Sequence, residues 1–153
     1  MKPFMSMYNS HCYALMRIVV GFLFLWHGTQ KLFGIPTAIP GQVPPFITYA
    51  AGPIELIGGI LVMIGLFTRW TAFIASGEMA VAYWMVHGTR ALLPIQNMGE
   101  LAVVYCFVFL FISTQGGGIW SIDALRTHDK RQAEAGAGES SSRDGIGPDK
   151  MET

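Results

Sequence analysis

Hydrophobic positions in the first 120 residues neither alternate nor form narrow helical stripes. They run on in four blocks, each broken by a cluster of Pro, Gly or polar residues. The blocks are 13–33 (YALMRIVVGFLFLWHGTQKLF), 49–67 (YAAGPIELIGGILVMIGLF), 70–87 (WTAFIASGEMAVAYWMVH) and 98–114 (MGELAVVYCFVFLFIST). A helix crosses the hydrocarbon core with about 20 mostly apolar residues, or 17 at the short end. All four blocks qualify, and none has the two-residue period of a barrel strand. A soluble bundle would show polar outer faces of ordinary width, which these blocks lack. The fold class read from the pattern is all-α integral membrane, an antiparallel bundle of four transmembrane helices. No A-x-A-like cleavage site follows the first block and Lys31 stands at its end, so it is expected to remain as an uncleaved span.

The breaks support the same reading. Residues 34–48 hold four prolines and no charge, and are expected to form a loop. Thr68 and Arg69 alone are left to join the second and third spans, which makes those helices antiparallel neighbours. Residues 88–97 join the third to the fourth, with Pro94 as a stop. After the fourth, QGGGIW breaks the helix, and Ser121 is placed to cap a short turn that has Asp123 in its first residues. Residues 1–126 then form the membrane domain, and 127–153, rich in Gly, Ser and charge, are expected to be a disordered polar tail.

Charge sharpens this division. Only 13% of the 153 residues are charged and 52% are hydrophobic; a typical soluble domain is roughly 25% charged. Eight of the twenty charged residues lie in the first 120 positions. A formal net charge of zero offers no basic face for nucleic acid. Lys2, Arg17, Arg69, Arg126, Lys130 and Arg131 fall on one side of the spans and Lys31 and Arg90 on the other, which predicts a multi-pass plasma-membrane (inner-membrane) protein with both termini in the cytoplasm. Trp70 and Trp120 then mark the inner interface, and Trp26, Tyr49 and Trp84 the outer one.

Ionisable groups at lipid depth are costly and usually face the bundle or a hydrated cavity. At 1.5 Å per residue, His27 and Glu55 come out roughly 9 Å below the outer interface, Lys31, His87 and Glu100 within roughly 3 Å of it, and Glu78 near mid-depth. Phe24, His27, Gly28 and Lys31 share one helical face; so do Gly52, Glu55, Gly58, Gly59 and Val62, and so do Ala75, Glu78, Met79 and Ala82. Each acid on the second and third spans rides on small residues, which let helix backbones approach closely in lipid. The expected site is a polar pocket near the outer face built from His27, Lys31, Glu55, Glu78, Glu100 and Arg90. His87 is its weak member, nine residues from Glu78 and so on the opposite side of an unbroken helix. Interhelical hydrogen bonding is the plainer alternative for these groups, and snorkelling to the inner headgroups the plainer role for Arg17 and Arg69. Gly58, Gly59 and Trp120 are read as structural. No H-x-x-x-H or E-x-x-H spacing occurs, so no metal site is expected, and Cys106 reads as a small buried hydrophobe.

RIVVGFLFLWHGTQKLFG in the first span, ELIGGILVMIGLFTRW in the second, and GELAVVYCFVFLF followed by GGGIWSID at the end carry a resemblance. Together they resemble the DoxX family of small four-helix membrane proteins, relatives of the DoxD subunit of thiosulfate:quinone oxidoreductase. The pattern positions are Arg17, His27, Gly28, Lys31, Glu55, Gly58, Gly59, Arg69, Glu100, Trp120, Ser121 and Asp123, within about residues 13–125. The resemblance implies a membrane component of an oxidoreductase system. The chain has no flavin, haem or iron-sulfur motif and no paired thiols, so no intrinsic cofactor is expected and electron transfer would need quinone or a partner subunit.

The leading expectation is thus a quinone-facing or anchoring subunit in the lipid bilayer, with a partner subunit or as a homo-oligomer. Trp26, Tyr83 and Trp84 would flank a quinone head, His27 or Lys31 would bond a quinone oxygen, and Glu55 or Glu100 would take protons. Two alternatives stand beside it, a small-solute or ion and proton pathway lined by the buried acids, and an assembly partner without chemistry of its own.

Overall fold

The computed structural model describes residues 4–39 and 44–129. Lys2, Lys130 and Arg131, and most of the expected tail, lie outside them. The described chain is all-α, in six helices. After a short 3-10 turn at Ser6–Tyr8, α1 runs Asn9–Phe33 and stops at Gly34, whose left-handed φ of 68° ends it as a glycine cap. Helix α2 is Pro45–Ile64, ended the same way by Gly65, φ 70°. Helix α3, Thr68–Ala82, continues without a break into a π turn at Tyr83–His87. A single turn, α4, occupies Pro94–Asn97; α5 is Glu100–Gln115 and α6 is 122–129. Two stretches, Ser6–Phe33 and Ile47–Ile64, are long and apolar enough to cross a membrane; α5 is a shorter apolar helix.

Several expected boundaries move, each for a local reason. Helix α2 begins at Pro45 rather than Tyr49, because proline at the first helical position lacks only an N–H that would have no intrahelical partner. Residues 45–48 therefore belong to a helix and not to the expected loop. Residues 65–67 make the connection between α2 and α3, and Thr68 and Arg69 form the first turn of α3. Pro94 opens the turn of α4 instead of stopping a helix. Residues 127–129, assigned to the tail, belong to α6.

Helices α1 and α2 lie antiparallel and nearly touch backbone to backbone. A Cβ on Gly59 would sit 2.6 Å from the Leu25 nitrogen, and one on Gly21 would sit 2.6 Å from the Met63 nitrogen. Gly58 faces Thr71 and Phe24 instead, with ordinary contacts of 3.7 and 3.9 Å for an added Cβ, so only one of this glycine pair is required by the close approach. Helices α3 and α5 pair through Ser76, whose hydroxyl donates to the Cys106 carbonyl at 2.8 Å. Phe24 joins the two pairs, its ring centroid 4.6 Å from Phe109 and 5.5 Å from Tyr105. With Val62, Ala72, Ala75 and Ile112 these side chains fill the core.

Arg17 does not snorkel. It is 0% exposed, and its guanidinium donates to the carbonyls of Val62 (2.6 Å), Met63 (2.7 Å) and Trp120 (2.7 Å). The first two are carbonyls of the last turn of α2, where the Gly65 N–H reaches Val62 and the guanidinium supplies the further donors. Arg69, which is exposed, likewise donates to the carbonyls of Ser113, Thr114 and Gln115 at the end of α5, so its guanidinium caps that helix. Trp120 adopts φ 56°, contributes its carbonyl, and leaves its indole exposed and edge-on to His11. Ser121 accepts from the Ala124 N–H and caps α6. Asp123 accepts from the Phe67 and Thr68 N–H groups at 3.0 and 2.9 Å and from the Thr68 hydroxyl at 2.8 Å, capping α3.

Two outcomes follow. Gly59→Val is expected to lower stability by about 1–3 kcal/mol through overpacking, whereas Gly58→Ala stays near the parent, as read by melting in detergent. For Asp123, burial raises the carboxyl pKa, but the bonds from Thr68 and Phe67 and the charge of Arg126 outweigh it and leave the group below its ordinary value. The stabilisation is complete above that ordinary value, about 4, and is lost as pH falls through the lower folded value. Asp123→Asn should melt lower than the parent at neutral pH and lack this acid-side loss; equal pH profiles would contradict the cap.

Candidate functional site

The end of the bundle away from Arg17 holds a cavity of about 450 Å³. Its polar lining comes from four segments: His27 and Lys31 on α1, Glu55 on α2, Glu78 on α3, and His87 and Arg90 at and after the π turn. Tyr105 on α5 completes it. Glu55 is 2% exposed, and both its oxygens receive the Lys31 ammonium at 2.6 Å. A carboxylate so buried requires a paired cation, and the lysine three positions after Gly28 reaches it because that glycine lets α1 and α2 close together. His27 meets the Tyr105 ring edge-on at 5.9 Å, and Tyr105 in turn stacks on Phe109 at 5.7 Å.

Glu78 differs from Glu55. Both of its carboxylate oxygens are buried and neither has a hydrogen-bond partner among the described residues. Of the two buried carboxyl groups of this chamber, it is the one left without a hydrogen-bond partner among the described residues.

The π turn explains how His87 reaches the chamber. The Gly88 N–H donates to the Tyr83 carbonyl, five residues back, at 2.7 Å. One extra residue in the turn sets His87 back by about 100° from its position on an unbroken helix, away from the face opposite Glu78. Its Nδ1 lies 3.0 Å from the Asn97 carbonyl oxygen, which only accepts, so Nδ1 is the donor of that bond. Asn97, 2% exposed, also donates to the Ala91 carbonyl at 2.8 Å and the Tyr83 hydroxyl at 3.3 Å, and accepts from the Gly99 N–H at 2.8 Å. This buried amide fixes the segment that carries Arg90. Its only sequence signal is a polar residue next to a proline-started turn.

Two expectations fail here. Glu100 does not join the chamber: it is exposed at the first position of α5, about 140° around the helix from Tyr105, where its charge suits the helix N-terminus. Trp26, Tyr83 and Trp84 do not line the chamber either. Trp26 and Trp84 are exposed, and the Tyr83 hydroxyl is committed to the Leu92 carbonyl at 2.9 Å. The aromatic at the site is Tyr105, which lies within the apolar run VVYCFVFLF and carries no local signal of its role. Cys12 and Cys106 are both free thiols, and among the described residues no group of three or more His, Cys, Asp or Glu is placed to hold a metal ion.

The family model described as DoxX matches residues 13–88, from the start of the Arg17 turn to the end of the π turn. An uncharacterized protein of Haemophilus influenzae is 40% identical over 122 residues, 76% of this chain and 91% of that protein. The chain belongs to the DoxX family. An uncharacterized membrane protein of Mycobacterium tuberculosis is 31% identical over 141 residues, covering 79% of the chain and 83% of that protein. A Bacillus subtilis protein provisionally named oxidoreductase CatD is 42% identical over 59 residues, only 36% of the chain and 44% of that protein. No solved structure matches. The DoxX match contains Arg17, His27, Lys31, Glu55, Glu78 and His87, and stops before Arg90, Glu100 and Tyr105.

Breaking a buried ion pair on one side strands the other charge, at about 3 kcal/mol or more. Lys31→Met and Glu55→Gln should therefore each lower the melting temperature in detergent, and the double variant should recover much of the loss. Additive losses in the double variant would mean the two side chains do not act as a pair.

Proposed function

We propose that this DoxX protein is a four-span plasma-membrane protein with both termini in the cytoplasm, and that it is the quinone-facing subunit of a membrane oxidoreductase. Helices α1 and α2 have the length and composition to span. Helix α3 with its π continuation covers residues 68–87, about 30 Å of helix, and α5 adds an apolar span of about 24 Å. The membrane protein of Mycobacterium tuberculosis supports this placement by its name. Arg17, Arg69 and Arg126 lie at the end assigned to the cytoplasm and Lys31 and Arg90 at the other, in keeping with the positive-inside rule.

The observation that carries the functional reading is the open carboxylate of Glu78 beside the Lys31–Glu55 pair, inside a chamber that also holds His27 and Tyr105. A quinone supplies two-electron, two-proton carrier chemistry. The residues present suit its head: His27 or Lys31 would bond a ring oxygen, Tyr105 would flank the ring, and the Glu78 and Glu55 carboxyl groups, in place of Glu100, would be the groups of the chamber able to exchange protons with it. The provisional oxidoreductase name of the Bacillus subtilis relative points the same way over its shorter match. A through-route for solutes is less well supported, because the inner half of the bundle is filled by Phe24, Val62, Phe109 and Ile112, all fully buried.

Protein extracted with its native lipids is expected to carry quinone, and decylubiquinone to bind the purified protein. His27→Ala and Glu78→Gln should each weaken that binding by about tenfold, the worth of one hydrogen bond to a charged or buried group. Unchanged affinity in both variants, measured by titration calorimetry in detergent, would overturn the reading.

A further inference from the structure

A second cavity, of about 360 Å³, lies in the cleft between α2 and α3. Ile54, Ile74, Val81 and Met85 wall it, and Glu78 is its only ionisable lining residue. The two cavities are continuous in their lining: Ile47, Ala51, Glu78, Ala82 and Val86 border both. Small residues keep the cleft open at the junction, with Ala50 and Ala51 on α2 and Gly77 and Ala82 on α3. A Cβ placed on Gly77 meets nothing within 4 Å. On its other side α2 is sealed backbone to backbone against α1, so this cleft is the loose seam of α2.

An apolar slot that faces the bilayer and ends on two buried, unpartnered carboxylate oxygens suits a particular kind of molecule. The body must be apolar to lie in the slot, and the head must carry a group such as a hydroxyl, which can both donate to and accept from the buried Glu78 carboxyl. We infer that the α2–α3 cleft is a lateral portal, through which a lipophilic hydroxy-aromatic molecule of the quinol type slides from the bilayer until its hydroxyl meets Glu78. The identity of the ligand rests on the quinone reading above; the portal rests on the cleft and Glu78 alone. The tail of the molecule stays between α2 and α3, while the ring turns toward Tyr105 and His27 in the chamber.

The portal can be tested with reagents that differ in which phase they come from. The full chain in phosphatidylcholine–phosphatidylglycerol vesicles is treated with dicyclohexylcarbodiimide, which partitions into lipid, or with a water-soluble carbodiimide, and the modified carboxyl groups are mapped by peptide mass. Glu78 should react about tenfold faster with the lipid-borne reagent, and faster than the ion-paired Glu55. Gly77→Phe should slow that reaction severalfold by filling the cleft, with Val81→Trp as a second plug at its exposed rim should the first fail to fold. Equal rates from both phases, or a rate that neither folded plug variant changes, would overturn the portal. Decylubiquinol should protect Glu78. Lipid-side labelling without protection would remove the quinol ligand and the quinone reading together while leaving the portal, whereas loss of lipid-side labelling with decylubiquinone still bound would remove the portal alone.

Discussion

A buried guanidinium and the last carbonyls of a helix are each costly alone in an apolar interior, and in this protein much of both costs is offset by their bonding to one another. Arg17, fully buried on α1, holds the carbonyls of Val62 and Met63 at the end of α2 and that of Trp120 beyond α5. One side chain thereby ties three segments that are 45 to 103 residues apart in sequence. Arg69 and Asp123 extend the same logic to the end of α5 and the start of α3. The Asp123 N–H also returns to the Gly65 carbonyl, at 2.9 Å, so the closing W-S-I-D segment is stitched beneath the α2–α3 connection.

The polar chamber lies at the other end. Backbone contact along Gly21, Gly28 and Gly59 holds α1 and α2 rigidly together, and that rigidity sets the depth at which Lys31 meets Glu55. Helix α3 approaches the pair less closely and brings Glu78 with no partner of its own. The π turn then redirects His87 toward the cavity, a local irregularity of the kind that often accompanies functional sites. A paired charge, an open carboxyl group and an aromatic face thus share one end of a small bundle.

The helices themselves were legible because lipid-compatible apolar runs, Pro and Gly act locally. So was the inward aim of His27, Lys31, Glu55 and Glu78, since residues spaced three and four apart must share a helical face and small neighbours mark the face that packs. The same logic misplaced Glu100, because it treated depth as sufficient and ignored its angle around α5. It also undervalued His87, since period counting assumes an unbroken helix.

Much else depended on partners distant in sequence. That Arg17 caps α2 instead of reaching for headgroups, that Tyr105 rather than a tryptophan faces the chamber, and that Gly59 but not Gly58 is pressed against backbone are facts about which helices meet and at what rotation. Hydrophobic periodicity reports whether a side chain turns inward, because burial has no direction beyond that. Hydrogen bonds and close backbone contacts are directional and short, so which group answers which was decided only when the helices packed.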